Sequence, residues 1–238
     1  MDSAALLNGL LWFVAFLFST TVHEAMHALA AHRGGDPTAY LGGQVSLSPV
    51  PHIRREPIGM LAVPLLTAFT AGWAVGWAST PYDPAWAARH PRRAASMAAA
   101  GPAGNLLIAV LAFAALRLGL VLEIFVAPRR ANFHHLVAAA GGSATVTALG
   151  DLLAVLLVLN ILLFIFNMLP VPPLDGASAI TGVLPEPTAL LVRSVNAIPG
   201  VSMLGLLVAW QLFPQFARPI FTAVLRLVHP GDIYVQVG

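Results

Sequence analysis

The segment His23-Glu24-Ala25-Met26-His27 sets two imidazoles four residues apart with a carboxylate beside the first. On an α-helix, residues i and i+4 share a face, so His23 and His27 can present ring nitrogens to one metal ion. Glu24 lies one position round and can handle a proton on a water at that metal. The bland alternative is two helical histidines with a Glu between them by chance. Location argues against it. The motif ends a long apolar run, where ionisable groups are costly and mark functional sites.

A catalytic zinc usually has three protein ligands and an open fourth position. The chain has no cysteine, so the third ligand must be a His or a carboxylate. Apart from Glu24 the carboxylates are Asp2, Asp36, Glu56, Asp83, Glu123, Asp151, Asp175, Glu186 and Asp232. Of these, Asp175 follows an apolar helix through the turn Pro170-Val171-Pro172-Pro173-Leu174 and precedes Gly176. Prolines stop the helix and the glycine permits a tight backbone, so this carboxylate can turn back toward the bundle. Asp175 is therefore the candidate third ligand; the alternative is a solvated loop Asp. His52 is a lone loop histidine and reads as structural. His134 and His135 are adjacent, so their rings diverge on a helix, and they read as surface.

The elements that position these groups follow from composition. Only 9% of the 238 residues are charged, 58% are hydrophobic, and the mean hydropathy is +0.81. A soluble domain carries about 25% charge. Runs of about 18–25 apolar residues suffice to cross a hydrocarbon core of about 30 Å. The fold class expected is an all-α polytopic membrane protein of five to six transmembrane or re-entrant segments, forming one domain over residues 1–238. The segments run at about 4–32, 58–79, 94–118, 151–169 and 201–227. The first has neither a basic leader nor a small-residue cleavage site, and it carries the histidines, so it reads as a retained helix. All twelve basic residues are arginines scattered between segments, which reads as a topology signal and excludes a nucleic-acid footprint. Residues 119–146 read as a loop, with Asp151 in the first turn of the helix that follows. Residues 177–200 read as a polar connector.

Three further features concern a substrate. In Gln44-Val45-Ser46-Leu47-Ser48, apolar and polar residues alternate between Gly-Gly and Pro, which predicts a short β element. A strand edge there could pair with an extended peptide; an ordinary loop is the equal alternative. Asn160 and Asn167 lie seven apart on one helical face and read either as interhelical glue or, for Asn167, as a substrate contact. Finally, His23, His27 and Asp175 must meet at one depth, so the first and fourth segments must be parallel. An odd number of crossings then lies between them, and Pro64, Gly72 and Gly76 mark the second segment as a re-entrant hairpin.

Together these motifs resemble the site-2 protease family of intramembrane zinc metalloproteases, in its short subgroup without PDZ or CBS domains. The resemblance rests on the HExxH, on Asn167-Met168-Leu169-Pro170-Val171-Pro172-Pro173-Leu174-Asp175-Gly176, and on Gly101 followed by Asn105. It covers residues 12–180. Arg54-Arg55-Glu56 departs from the family's usual sequence after His52. The resemblance implies roughly six transmembrane segments with a three-segment catalytic core. It implies one Zn2+ held by His23, His27 and Asp175, Glu24 as general base, and Asn105 and Asn167 positioning the substrate, with Gln44, Val45 and Ser46 as the candidate strand. The expected partner is a membrane protein with a transmembrane helix, in the bilayer. With the second segment re-entrant, the arginines place the site toward the cytoplasmic face. The rival readings are a proteolytically silent metal-binding scaffold and a transporter.

Overall fold

The computed structural model describes residues 3–231; Asp2 and Asp232 lie outside them. Most of the chain is helical. Helix α1 (Ser3–Arg33) ends at Gly34 and Gly35, where Asp36 N–H caps the Ala31 carbonyl. Short helices α2 (Thr38–Leu41) and α3 (Val50–Arg55) follow. A π turn (Ile58–Ala62) runs into α4 (Val63–Thr70). Helix α5 (Pro84–Arg89) is capped by the Asp83 carboxylate, and α6 (Pro91–Val121) starts on a proline. Strands β1 (Phe125–Val126) and β2 (Ala138–Ala139) pair antiparallel. Helix α7 (Ala144–Asn167), α8 (Asp175–Ala179), α9 (Glu186–Asn196) and α10 (Val201–Val228) follow within the described residues.

Among the described residues three helices, α1, α6 and α7, are each long and apolar enough to cross a membrane. With α9 and α10, bent by 94°, counted as one broken span, there are four. The shorter apolar α4 is the fifth segment among the described residues, within the five to six transmembrane or re-entrant segments expected. The contacts fix directions. Trp12 and Phe16 pack with Val155 and Leu159, Ser19 bonds Asn160, and His23 meets Asp175. Helices α1 and α7 are therefore parallel. Helix α6 runs against both: its Met97 reaches His27 and its Asn105 reaches His23.

The second segment turns back. Gly72 accepts a hydrogen bond from Asn8, Gly76 lies against Phe16, and Thr80 reaches Glu24. The helical rise from Asn8 to Glu24 is about 24 Å, and the extended chain from Gly72 to Thr80 covers about 26 Å, so an extended return is what fits. The hairpin enters and leaves at the same end of the bundle, and α6 is the single crossing between α1 and α7.

Five expectations are corrected. Residues 44–48 are not a strand: Gln44 is buried, Leu47 is 69% exposed, and no strand among the described residues pairs with them. Their alternation therefore does not define one buried face. The two-stranded sheet lies instead within 119–146, where Phe125 buries its ring against Gly119 and Gly150. Asp151 is not in the first turn of α7, which Ser143 caps; it lies two turns in and holds His135, which is half-buried rather than surface. The connector 177–200 contains α9, amphipathic rather than merely polar, with Ala189 buried and Leu190 and Leu191 exposed.

Candidate metal centre

His23 and His27 face each other one turn apart near the end of α1, and Asp175 comes to them at the start of α8. Gly176 explains the tight turn: a side chain there would run into the carbonyls of Met168 and Leu169, the end of α7. Among the described residues these three form a group whose ligand atoms lie within 4.8 Å of one another. The His23 and His27 Nε2 atoms are 3.0 Å apart, and Asp175 Oδ2 is 3.1 and 3.3 Å from them. A tetrahedral zinc about 2.0–2.1 Å from each donor requires donors about 3.3 Å apart, so the spacing fits.

The protonation pattern supports a metal more strongly than the spacing does. The Met97 carbonyl can only accept, and it lies 2.7 Å from His27 Nδ1. His27 Nδ1 is therefore the donor, and its Nε2 carries a lone pair. For His23 the same conclusion comes through two amides. Asn160 Nδ2 donates to the Leu156 carbonyl and to Ser19 Oγ, so its Oδ1 faces Asn105 Nδ2 at 2.8 Å. That turns Asn105 Oδ1 to His23 Nδ1, 2.6 Å away, and makes Nδ1 the donor. Two bare imidazole lone pairs and a carboxylate oxygen then converge in a buried site. They repel one another unless a cation sits between them. Gly101 of α6 leaves the needed room, since a side chain there would strike both Nε2 atoms.

Glu24 is 4% exposed, and its carboxylate points beside the histidines into a cavity of about 1060 Å³. Thr80 donates to Glu24 Oε2 at 2.6 Å and lies 3.0 Å from the Glu24 carbonyl. The cavity runs from Phe16 and Thr20 past the site to Asn167, Arg193 and Leu206. The hairpin's return strand lines one wall. Among the described residues, the backbone N–H groups of Ala78, Ser79 and Thr80 have no partner.

Of the substrate residues expected from the sequence, Asn167 lines the cavity, with its Nδ2 bonded back to the Leu163 carbonyl. Asn105 does not; it is fully buried and committed to His23, Asn160 and Ser19. Gln44, Val45 and Ser46 lie outside the cavity. The Ser46 carbonyl instead meets His52 Nε2 at 3.1 Å, which makes that histidine structural. Asp36 also serves structure. Burial alone would raise its pKa, but donors from Thr38 and the Asp83 N–H hold it below the usual carboxylate value. Thr80 and Met97 escaped the sequence reading. The only signal for Thr80 was the parity argument, which returns the chain to the site just there.

A model of Peptidase family M50 matches residues 11–209. This chain belongs to peptidase family M50. A protein of Bacillus subtilis (strain 168), "Putative zinc metalloprotease YwhC", is 31% identical over 173 residues, covering 72% of this chain and 68% of that one. No solved structure matches. The chain is a zinc metalloprotease of the site-2 protease kind, as its paired motifs led us to expect.

Proposed function

We propose that this M50 peptidase hydrolyses a peptide bond in or beside a transmembrane helix of a membrane-protein substrate, with all of residues 1–238 serving that one activity. The observation that carries the reading is the placement of the His23, His27 and Asp175 ligand atoms, with Glu24 beside them, inside a bundle of membrane-length helices. His23, His27 and Asp175 hold the zinc. When bound, zinc polarises the scissile carbonyl and acidifies water. Glu24 takes a proton from the attacking water on its carboxylate and passes it to the leaving amine nitrogen. Asn105, reached through Asn160, keeps the His23 ring in its ligand tautomer; Asn167 faces the substrate from the cavity wall.

A substrate helix hides its amides in its own hydrogen bonds and must unwind before attack. The unpaired backbone at Ala78–Thr80 offers partners to an extended chain, which moves the strand-pairing role from 44–48 to the hairpin's return. The site faces the cytoplasm. Arg33, Arg54, Arg55, Arg89, Arg92, Arg93 and Arg193 cluster at its end of the bundle, against Arg117, Arg129, Arg130 and Arg226 at the other. The absence of native cysteines makes this testable by single-cysteine labelling in cells. Ala127→Cys should react with an impermeant maleimide in intact cells and Ala85→Cys only after permeabilisation; the reverse pattern contradicts the orientation.

The test of the function is Glu24→Gln in the full chain, assayed on a fluorogenic single-span peptide with a central Asn-Gly pair. Cleavage should fall by at least about 10³-fold while one zinc per chain is retained. Cleavage at the normal rate would refute the proteolytic reading and favour a silent metal-binding scaffold.

A further inference from the structure

We propose that Thr80 is a positioning residue for the general base, delivered to Glu24 by the re-entrant hairpin. The inference rests on the proteolytic reading above. Glu24 sits one residue from His23, so its side chain leaves the helix about 100° round from His23 and about 60° from His27. A glutamate has three rotatable side-chain bonds, and the helix alone does not aim it. The same cavity wall carries the apolar Phe16, Ala98 and Trp77, which offer the Glu24 carboxylate no hydrogen bond. The Thr80 hydroxyl supplies the aim, 2.6 Å from Oε2, and the same hydroxyl is 3.0 Å from the Glu24 backbone carbonyl. It bridges the tip and the root of one side chain, which fixes the direction between them.

A hydroxyl suits this place because it both donates and accepts. Beside the carboxylate, it donates its hydrogen to Oε2. Beside the carboxylic acid, it accepts from the Oε2 hydroxyl and turns its own hydrogen to the Glu24 carbonyl. Thr80 thus keeps its partners before and after the base takes a proton, so the carboxyl group need not move between the two steps.

The position of Thr80 is itself held from both sides. Before it, Arg55 donates to Ser79 Oγ, which donates to Glu56. After it, the Asp83 N–H is tied to Asp36 beyond the end of α1. These contacts anchor the return strand to the loops at the site end of the bundle, so the hydroxyl arrives at a defined depth. An apolar hairpin that neither crosses the bundle nor carries a ligand is thereby given a role in the chemistry.

The experiment compares Thr80→Val, Thr80→Ser and Glu24→Gln in the full chain, reconstituted in phosphatidylcholine vesicles, using the same fluorogenic peptide. Zinc content and thermal stability are measured alongside. Thr80→Val should lower kcat about 10–100-fold with KM within about 2-fold, as expected of a misaimed catalytic group. It should keep one zinc per chain, and Thr80→Ser should recover kcat to within about 3-fold. If Thr80→Val fails to fold, Thr80→Ala replaces it in the comparison with Thr80→Ser. The proposal is overturned by a normal kcat in the Val or Ala variant, by an equal loss in the Ser variant, or by loss of zinc. Full cleavage by Glu24→Gln would instead overturn the proteolytic reading, so the two failures are distinguishable.

Discussion

The bundle holds a histidine beside an aspartate at each end, and the two ends use them differently. At the distal end His135 Nδ1 meets Asp151 Oδ1 at 2.6 Å, and nearby His229 Nε2 meets the Leu136 carbonyl at 2.7 Å. Each ring nitrogen named there faces an acceptor, and the contacts close the packing of α7, α10 and the β1–β2 hairpin around Phe125, Leu136 and Val228. At the site end both histidines spend their Nδ1 hydrogens on groups behind them, Asn105 and the Met97 carbonyl. What faces Asp175 is a pair of lone pairs. Residue type does not separate the two places, and neither does the use of Nδ1 as donor; what separates them is whether the aspartate is that donor's acceptor, as Asp151 is, or faces the other, unprotonated ring nitrogen, as Asp175 does.

Exchanging carboxylates should break that comparison most visibly. Asp175→Ala should reduce zinc from one per chain to below about 0.1 and abolish cleavage, whereas Asp151→Ala should leave both within about 2-fold. Metal analysis of the two purified variants decides it, and equal zinc loss would mean that the ends are not distinct. A smaller effect is expected behind the site. Asn105→Leu removes the acceptor that fixes the His23 tautomer and should weaken zinc about 10–100-fold in chelator competition. Asn160→Leu should do the same to a lesser degree, because Asn105 would remain free to turn either way.

How much of this was legible in the sequence follows from which interactions are local. The two histidines, Glu24 and the helix that carries them are set by one helical turn and an apolar run. Asp175 could be picked out because a proline-broken turn has few other uses beside an apolar helix. The hairpin was legible through parity alone, since the metal forces α1 and α7 to be parallel. Thr80 and Met97 were not, because each contacts the site through a chain segment more than fifty residues away in sequence. Asn105 was expected at the substrate only through the family resemblance; the contacts with Asn160 and Ser19 show its oxygen facing His23. The strand at 44–48 failed because alternation predicts pairing only where a neighbouring strand exists.

The smallest effect concerns pH, and it belongs to the distal end alone. The Asp151 hydrogen bond raises the His135 pKa against the opposing effect of burial, while burial pushes His134 down. A raised histidine value means that the pair's contribution is fully present below the ordinary value near 6.5 and is lost as pH rises through the raised one. Asp151→Asn should therefore lower Tm by no more than about 3 °C near pH 6 and flatten its decline above that, with the zinc content unchanged at every pH. Thermal melts across pH 5.5–8.5 check this. An undiminished slope would show that another group sets it.

The most direct test of the central claim is X-ray absorption at the zinc edge of the full-length protein in detergent, wild type beside Asp175→Ala and Asp151→Ala. The account predicts a four-coordinate zinc with two imidazole nitrogens and oxygen donors at about 2.0–2.1 Å in the wild type. The spectrum should be the same in Asp151→Ala, and the metal should be lost in Asp175→Ala. Zinc that remains bound with an unchanged spectrum in Asp175→Ala would contradict it.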